Sequence, residues 1–520
     1  MTKTPHIPAF TREATGLVRS ISPWTMLWAS MGEIGFGTGL LLMNDADSFL
    51  PSGNPGGNVV IASIIFLVIV LFEAYLYNTI TVATRRAGGD YVCMSRNIYP
   101  ALASILIYGF IFTGFPFTAI SLNWMFTLSL LPSMSTIGVV TGNSGLISLS
   151  SALGTPVSLA VVSLILLAVF TAVDIVWPKQ GFMSLGLFAL LGTVGTLVMA
   201  AVFLAAGPSG IQSSVANLLL QNNATYTSIA SQYTGPSVSL PAIILLFPFL
   251  YFTLPFINNT ADFSGEARNI KRSAFTGTIL AALLSGVLLI VLLQMYYSYL
   301  GFNFAMQAPS SWPSSLAAAG IFPNMLTIAT IAAKDNVALM WIMNVLFALW
   351  YLASVQQSLI GISRYIFAVS FDRLLPIKLA NVSDRFHSPV TAILLESIVT
   401  VPMILFVSFT SWLSLFSTTA ASTIFFTFIG ITGIVYAWKK RESLKNTSIW
   451  LIISGAIVFC FFLYMTYMVL VIPYYGINTP TWALLLGVWI LGALAYPISK
   501  AYYGRQGLDI RMVFKELPPE

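Results

Sequence analysis

Twelve long apolar runs divide this chain, at about 23–43, 58–80, 98–131, 156–177, 182–206, 239–262, 273–301, 336–370, 390–409, 411–437, 448–472 and 481–502. We call them segments 1 to 12. Each reaches the ~20 residues that a helix needs to cross a bilayer's hydrocarbon layer. With no water to satisfy backbone N–H and C=O groups, a spanning segment of this kind must be helical. The expected fold is therefore an all-α polytopic membrane protein of twelve transmembrane helices. Charge agrees. Only 8% of residues are Asp, Glu, Lys or Arg, against roughly 25% in a soluble domain, so most of the surface must face lipid.

Basic residues orient the segments. With the N-terminus inside, every Lys and Arg except Lys334 falls on the cytoplasmic side: Lys3 to Arg19, Arg85 to Arg96, Lys179, Arg268 to Arg272, Arg364 to Arg385, Lys439 to Lys445, and Lys500 to Lys515. Excess Lys and Arg on one side is the usual mark of the inner face. Both termini are thus expected in the cytoplasm of a prokaryotic cell (plasma) membrane. The pI of about 9.1 then reflects topology rather than nucleic acid. The outer stretches 132–155, 207–238 and 473–480 carry no charged side chain. That accords with an acidic exterior, where carboxylates lose their charge, and equally with ordinary outer-loop composition. Asn223-Ala-Thr225 fits a glycosylation acceptor.

Several chemistries are disfavoured. Cys93 and Cys460 are far apart and form no disulfide framework or metal cluster. His6 and His387 both lie outside the apolar runs, so no metal, haem or other cofactor is expected, and a membrane enzyme lacks its base. No phosphate-cradling Gly-x4-Gly-Lys-[Ser/Thr] loop occurs, and no repeated filter loop of a channel. The polar start, with Lys3, Arg12, Glu13 and Arg19, does not read as a cleavable signal.

Two segments carry helix breakers at matching places. Segment 1 holds Gly32-Glu-Ile-Gly-Phe-Gly-Thr-Gly39; segment 6 holds Pro248 and Pro255, then Asn258, Asn259, Thr260 and Asp262. Interrupted backbone is tolerated at membrane depth only around a cavity or inside protein. Broken segments at corresponding positions of two halves point to a transporter binding site. The alternative is that the glycines of segment 1 serve close helix packing.

Three further motifs, with these breaks, resemble the amino acid–polyamine–organocation superfamily of permeases. They are Arg86-Ala-Gly-Gly-Asp-Tyr-Val92, Gly265-Glu-Ala-Arg-Asn-Ile-Lys-Arg272, and Ser363-Arg-Tyr-Ile-Phe-Ala-Val-Ser-Phe-Asp-Arg-Leu-Leu-Pro376 with Ser388-Pro389; Gly37-Thr-Gly39 is similar to the family's G-[ST]-G. Ile270 replaces a proline usual in the second. The resemblance covers about residues 16–440. It implies a LeuT-type 5+5 inverted-repeat fold with broken helices 1 and 6, and alternating access. It divides the chain into a cytoplasmic segment 1–20, a transporter core 21–440, segments 11 and 12 within 441–502, and a cytoplasmic tail 503–520. It implies an amino acid as substrate, its carboxylate held by amides at Gly35, Phe36, Gly37, Thr38 and Gly39. The ammonium would meet Phe252, Thr253, Leu254 and Phe256, where Pro255-Phe256 stands in place of the usual glycines.

Three glutamates, Glu33, Glu73 and Glu396, lie within apolar runs. Charge there costs roughly 2.5–3.5 kcal/mol on insertion scales, which makes each a functional candidate; neutral, hydrogen-bonded packing is the alternative for Glu73 and Glu396. Glu33, about one turn before Gly37, is the candidate proton carrier. A helix 5 lysine found in some proton-coupled relatives is missing from 181–206. For Na+ the oxygen ligands at hand are Ser354, Gln357 and Ser358. The sequence leaves proton symport, sodium symport, exchange of amino acids or polyamines, and solute sensing open, and favours H+.

Overall fold

The computed structural model describes residues 16–33, 36–44, 55–251, 253, 254, 256–410, 419–472, 475 and 478–518. Gly35, Phe252 and Pro255 lie outside the described residues, as do Lys3, His6, Arg12 and Glu13 of the N-terminal segment. The described residues form helices joined by short turns, and their one β-bridge pairs Ile21 with Ala267.

Among the described residues, ten helices are long and apolar enough to cross a membrane, and they coincide with segments 2–5 and 7–12. Segment 6 is interrupted within the described residues, whereas the break expected in segment 1 falls on Ile34 and Gly35, which lie outside them. Segment 1 folds as Pro23–Glu33 and Phe36–Asn44. Segment 6 folds as Leu240–Leu245 and Phe247–Leu250, then, after an irregular stretch, as Asn259–Asp262.

Several helices expose apolar stripes, as contact with lipid requires. In segment 4, Val157, Val161, Ile165 and Val169 recur every four residues on one exposed face, and Leu486, Ile490, Leu494 and Ile498 do the same in segment 12. Inside, small residues let backbones touch. A Cβ on Gly430 would lie 2.6 Å from Phe459 N and 2.7 Å from Gly455 O, so segments 10 and 11 meet at van der Waals limit.

The charge-free connections are more helical than their polar composition suggests. Segment 3 continues from Pro100 to Thr141 through a π-turn at Met125–Leu130, and Ser144–Leu153 forms a further helix. Hydroxyls there bond back to their own helix, as Ser133 does to Ser129 O (2.6 Å) and Thr136 to Pro132 O (2.7 Å), so polar residues persist without breaking it. Segment 5 turns at Gly207 (φ 65°) into an outer helix ending at Gln221.

The basic segments gather at one end of the bundle. There Arg96 pairs with Asp372 and donates to Val513 O, Lys439 donates to Asn97 O (2.8 Å), Ser499 donates to Arg373 O (2.6 Å), and Ile21 N donates to Glu266 O (3.0 Å). The charge-free stretches gather elsewhere: Ser315 donates to Asn222 and Ser311 to Gln232, each at 2.8 Å.

Candidate functional site

Segment 1 packs against the interrupted part of segment 6. Gly39 abuts Thr253, close enough that a Cβ on Gly39 would lie 1.9 Å from Thr253 Cγ2. Trp350 of segment 8 wedges between them and segment 5: its ring lies against Gly37 and Gly192, its Nε1 donates to Thr196 (3.0 Å), and Phe36 packs on it at 5.3 Å. These glycines are packing surfaces. Thr38 is buried beside Tyr351.

Beside this joint is a largely apolar cavity of about 50 Å³, room for a few waters. Aromatic rings wall it. Phe256 stacks on Phe117 (6.4 Å) and meets Tyr251 edge-on (5.0 Å), while Phe110 packs against Tyr365 (5.4 Å). Its polar lining is Glu33, Thr113, Asp262, Gln357, Ser358 and Ser422. A few convergent polar groups in an apolar wall are what a small-molecule site needs.

Of the residues singled out in the sequence, Glu33, Phe256, Gln357 and Ser358 line this cavity. Gln357 joins segments 1 and 6: its side chain hydrogen-bonds Glu33, and its Nε2 donates to Asn259. Ser358 bonds Thr118 of segment 3 at 2.6 Å, and Ser354 is buried on the same helix. Phe36, Gly37, Thr38, Gly39, Thr253 and Leu254 form the joint next to the cavity rather than its lining.

Asp262 is the residue that sequence reasoning passed over. Glu33 has no acidic neighbour in sequence, yet Asp262 lines the same cavity. The available signal was its place one turn after Asn258 in a broken apolar segment.

Beneath the cavity the three motifs assemble. Gly88 N donates to Asp262 O (3.1 Å) and Ser264 to Arg86 O (2.8 Å). Gly88 has φ +62°, and its absent Cβ would lie 2.8 Å from Ala368 Cβ, so conformation and space both require glycine. Glu266 of the second motif takes a two-point bond from Arg364 of the third, at 2.9 and 3.3 Å. Both are almost fully buried. Asp174 accepts from Gln356 nearby, and Glu396 sits beside Asp174 and Arg364. Glu73, like Glu396, is fully buried with neither carboxyl oxygen hydrogen-bonded.

Fold and site together define a multi-pass helical membrane protein with an interrupted segment 6 and a buried polar cavity beside it. The chain belongs to the amino acid permease family, whose family model matches residues 21–495. That family is one of transporters, and it makes this an amino acid transporter in the general sense. No curated protein matches the chain.

Proposed function

We propose that this protein is a secondary active amino acid transporter that works by proton-coupled symport and alternating access. The observation that carries the reading is the cavity between segment 1 and the interrupted segment 6, with Glu33 of the first joined through Gln357 to Asn259 of the second. A buried carboxylate shared between two elements that must part is a means of coupling protonation to their movement.

In this reading segments 1–5 and 6–10 are the inverted repeats of a LeuT-type fold, with 11 and 12 peripheral, and both termini are cytoplasmic. The substrate carboxylate meets the amides at Gly35–Gly39, and its ammonium meets the freed carbonyls between Phe252 and Phe256. Segments 1, 2, 6 and 7 rock against 3, 4, 8 and 9. Phe256 and Tyr251 close over the substrate, whose side chain lies among aromatic rings. Proton coupling is favoured over sodium because Gln357 and Ser358 are engaged in interhelical bonds, whereas Glu33 faces the cavity.

Uptake of labelled amino acid into proteoliposomes tests this, with an inward proton gradient, a sodium gradient or neither. Proton-driven accumulation lost in Glu33→Gln is the expected result. Uptake that needs only amino acid inside would make the protein an exchanger.

A further inference from the structure

A second carboxylate lies between the cavity and the basic end of the bundle. Asp90 belongs to the short helix Gly89–Asn97, which links segments 2 and 3. It is fully buried, yet Arg85, five residues earlier, is exposed. Asp90 therefore sits just beneath the surface where the three motifs meet.

One hydroxyl connects it to the cavity. Tyr365 OH, on the cavity wall, donates to Asp90 Oδ2 at 2.7 Å. Asn258 Nδ2 reaches both Tyr365 OH and Asp262 Oδ2, each at 3.3 Å, so it holds that phenol and the Asp262 carboxyl in one cluster. Asp262 Oδ1 is buried and has no hydrogen-bond partner. A phenol has a single hydrogen to share between two carboxyl groups. When it serves Asp90, Asp262 is best satisfied carrying a proton of its own.

We propose that Asp262, Tyr365 and Asp90 form the relay by which the coupling proton leaves the cavity toward the cytoplasm. The inference rests on the proton-symport reading above. Water in the cavity carries the proton from the Glu33 carboxyl to the Asp262 carboxylate. Asp262 then gives its proton to the Tyr365 oxygen while the phenol's own hydrogen passes to Asp90 Oδ2. The phenol is regenerated, and the negative charge moves from Asp90 to Asp262. Opening of the inner side uncovers Asp90, which releases the proton to water.

The surroundings of Asp90 suit this task. Segment 2 presents the Tyr77 hydroxyl (3.5 Å), segment 8 presents Tyr365, and the helix of Asp90 itself presents the Tyr91 amide (2.6 Å) and the Cys93 thiol. Segment 6 adds Asp262 and segment 1 adds Glu33; Arg96 and Lys439 act on the neighbouring Cys93. Burial pushes the Asp90 carboxyl up to about 7, against the pull of hydrogen bonds from Tyr365, Tyr91 and Tyr77. That value lies near neutral pH, where a relay group both accepts and releases.

The test compares two activities of the full chain in proteoliposomes containing a trapped pH dye. Counterflow, in which internal unlabelled amino acid exchanges for labelled, needs no net proton release; proton-driven uptake does. For Asp90→Asn we expect driven uptake and amino-acid-dependent acidification to fall by about tenfold or more, while counterflow stays within about twofold. Asp90→Glu should restore the coupled activity. Tyr365→Phe, which removes the shared hydrogen and keeps the ring, should lose coupling as Asp90→Asn does. Coupled uptake within about twofold of wild type in both Asp90→Asn and Tyr365→Phe would overturn the relay. So would parallel loss of counterflow and coupling in Asp90→Asn, because the cluster would then be structural. If the wild type itself shows no proton-driven uptake, the symport reading fails and the relay with it.

Discussion

Gly39→Ala probes the contact between segments 1 and 6 directly. The added Cβ would stand 1.9 Å from Thr253 Cγ2, 2.8 Å from Thr253 Cβ and 3.1 Å from Thr253 Cα. Thr253 cannot simply rotate away, because its hydroxyl donates to Leu250 O at 2.5 Å and the residue is fully buried. Overpacking of this kind costs ~1–3 kcal/mol, and a clash reaching a backbone atom belongs at the upper end. A cost of ~2–3 kcal/mol corresponds to roughly 30–150-fold in the equilibrium that assembles the joint. Thr253→Ser removes Cγ2 and leaves the two milder contacts, so the double variant should recover about 1 kcal/mol as coupling between the sites. The assay is counterflow, read as apparent substrate affinity, alongside the half-life of the purified protein on heating. Gly39→Ala within about twofold of wild type on both readouts would refute the claim that segments 1 and 6 are packed at contact distance.

Other outcomes follow from the same reasoning. Arg364→Ala strands the buried Glu266 carboxylate and should cost about 3–5 kcal/mol, seen as loss of folded protein in size-exclusion chromatography; Arg364→Met with Glu266→Leu should recover much of it. Glu73→Met removes two buried acceptors that lack hydrogen bonds and should stabilise by about 1–3 kcal/mol, measured as a longer thermal half-life with transport retained. Burial pushes the Cys93 thiol up to about 12. Its thiolate fraction at about pH 8 is then roughly one in ten thousand, so maleimide should spare Cys93 in the native protein and label it after unfolding.

Much of this architecture is legible in the sequence, because lipid imposes a simple code. Apolar length marks the helices, and the proline and asparagine breakers of segment 6 coincide with its interruption among the described residues. The motif residues were visible as well, but not what they touch. Glu266 meets Arg364 and Asp90 meets Tyr365 across separations of 98 and 275 residues, and such pairings depend on helix rotation, which an all-apolar helix does not record. For the same reason the sequence does not show that Gly37 and Gly39 are packed against Trp350 and Thr253. Asp262 was hidden because its partner Glu33 is distant in the chain. The polar outer stretches concealed helices whose hydroxyls are satisfied internally.

The central claim is that the cavity between segments 1 and 6 takes up an amino acid. Counterflow of each labelled amino acid in wild-type proteoliposomes, repeated with Phe256→Ala, tests it most directly. The account predicts saturable counterflow for at least one amino acid, with an affinity shifted by about tenfold when the Phe256 ring is removed from the wall. Counterflow with no amino acid at all, or an affinity indifferent to Phe256, would contradict it.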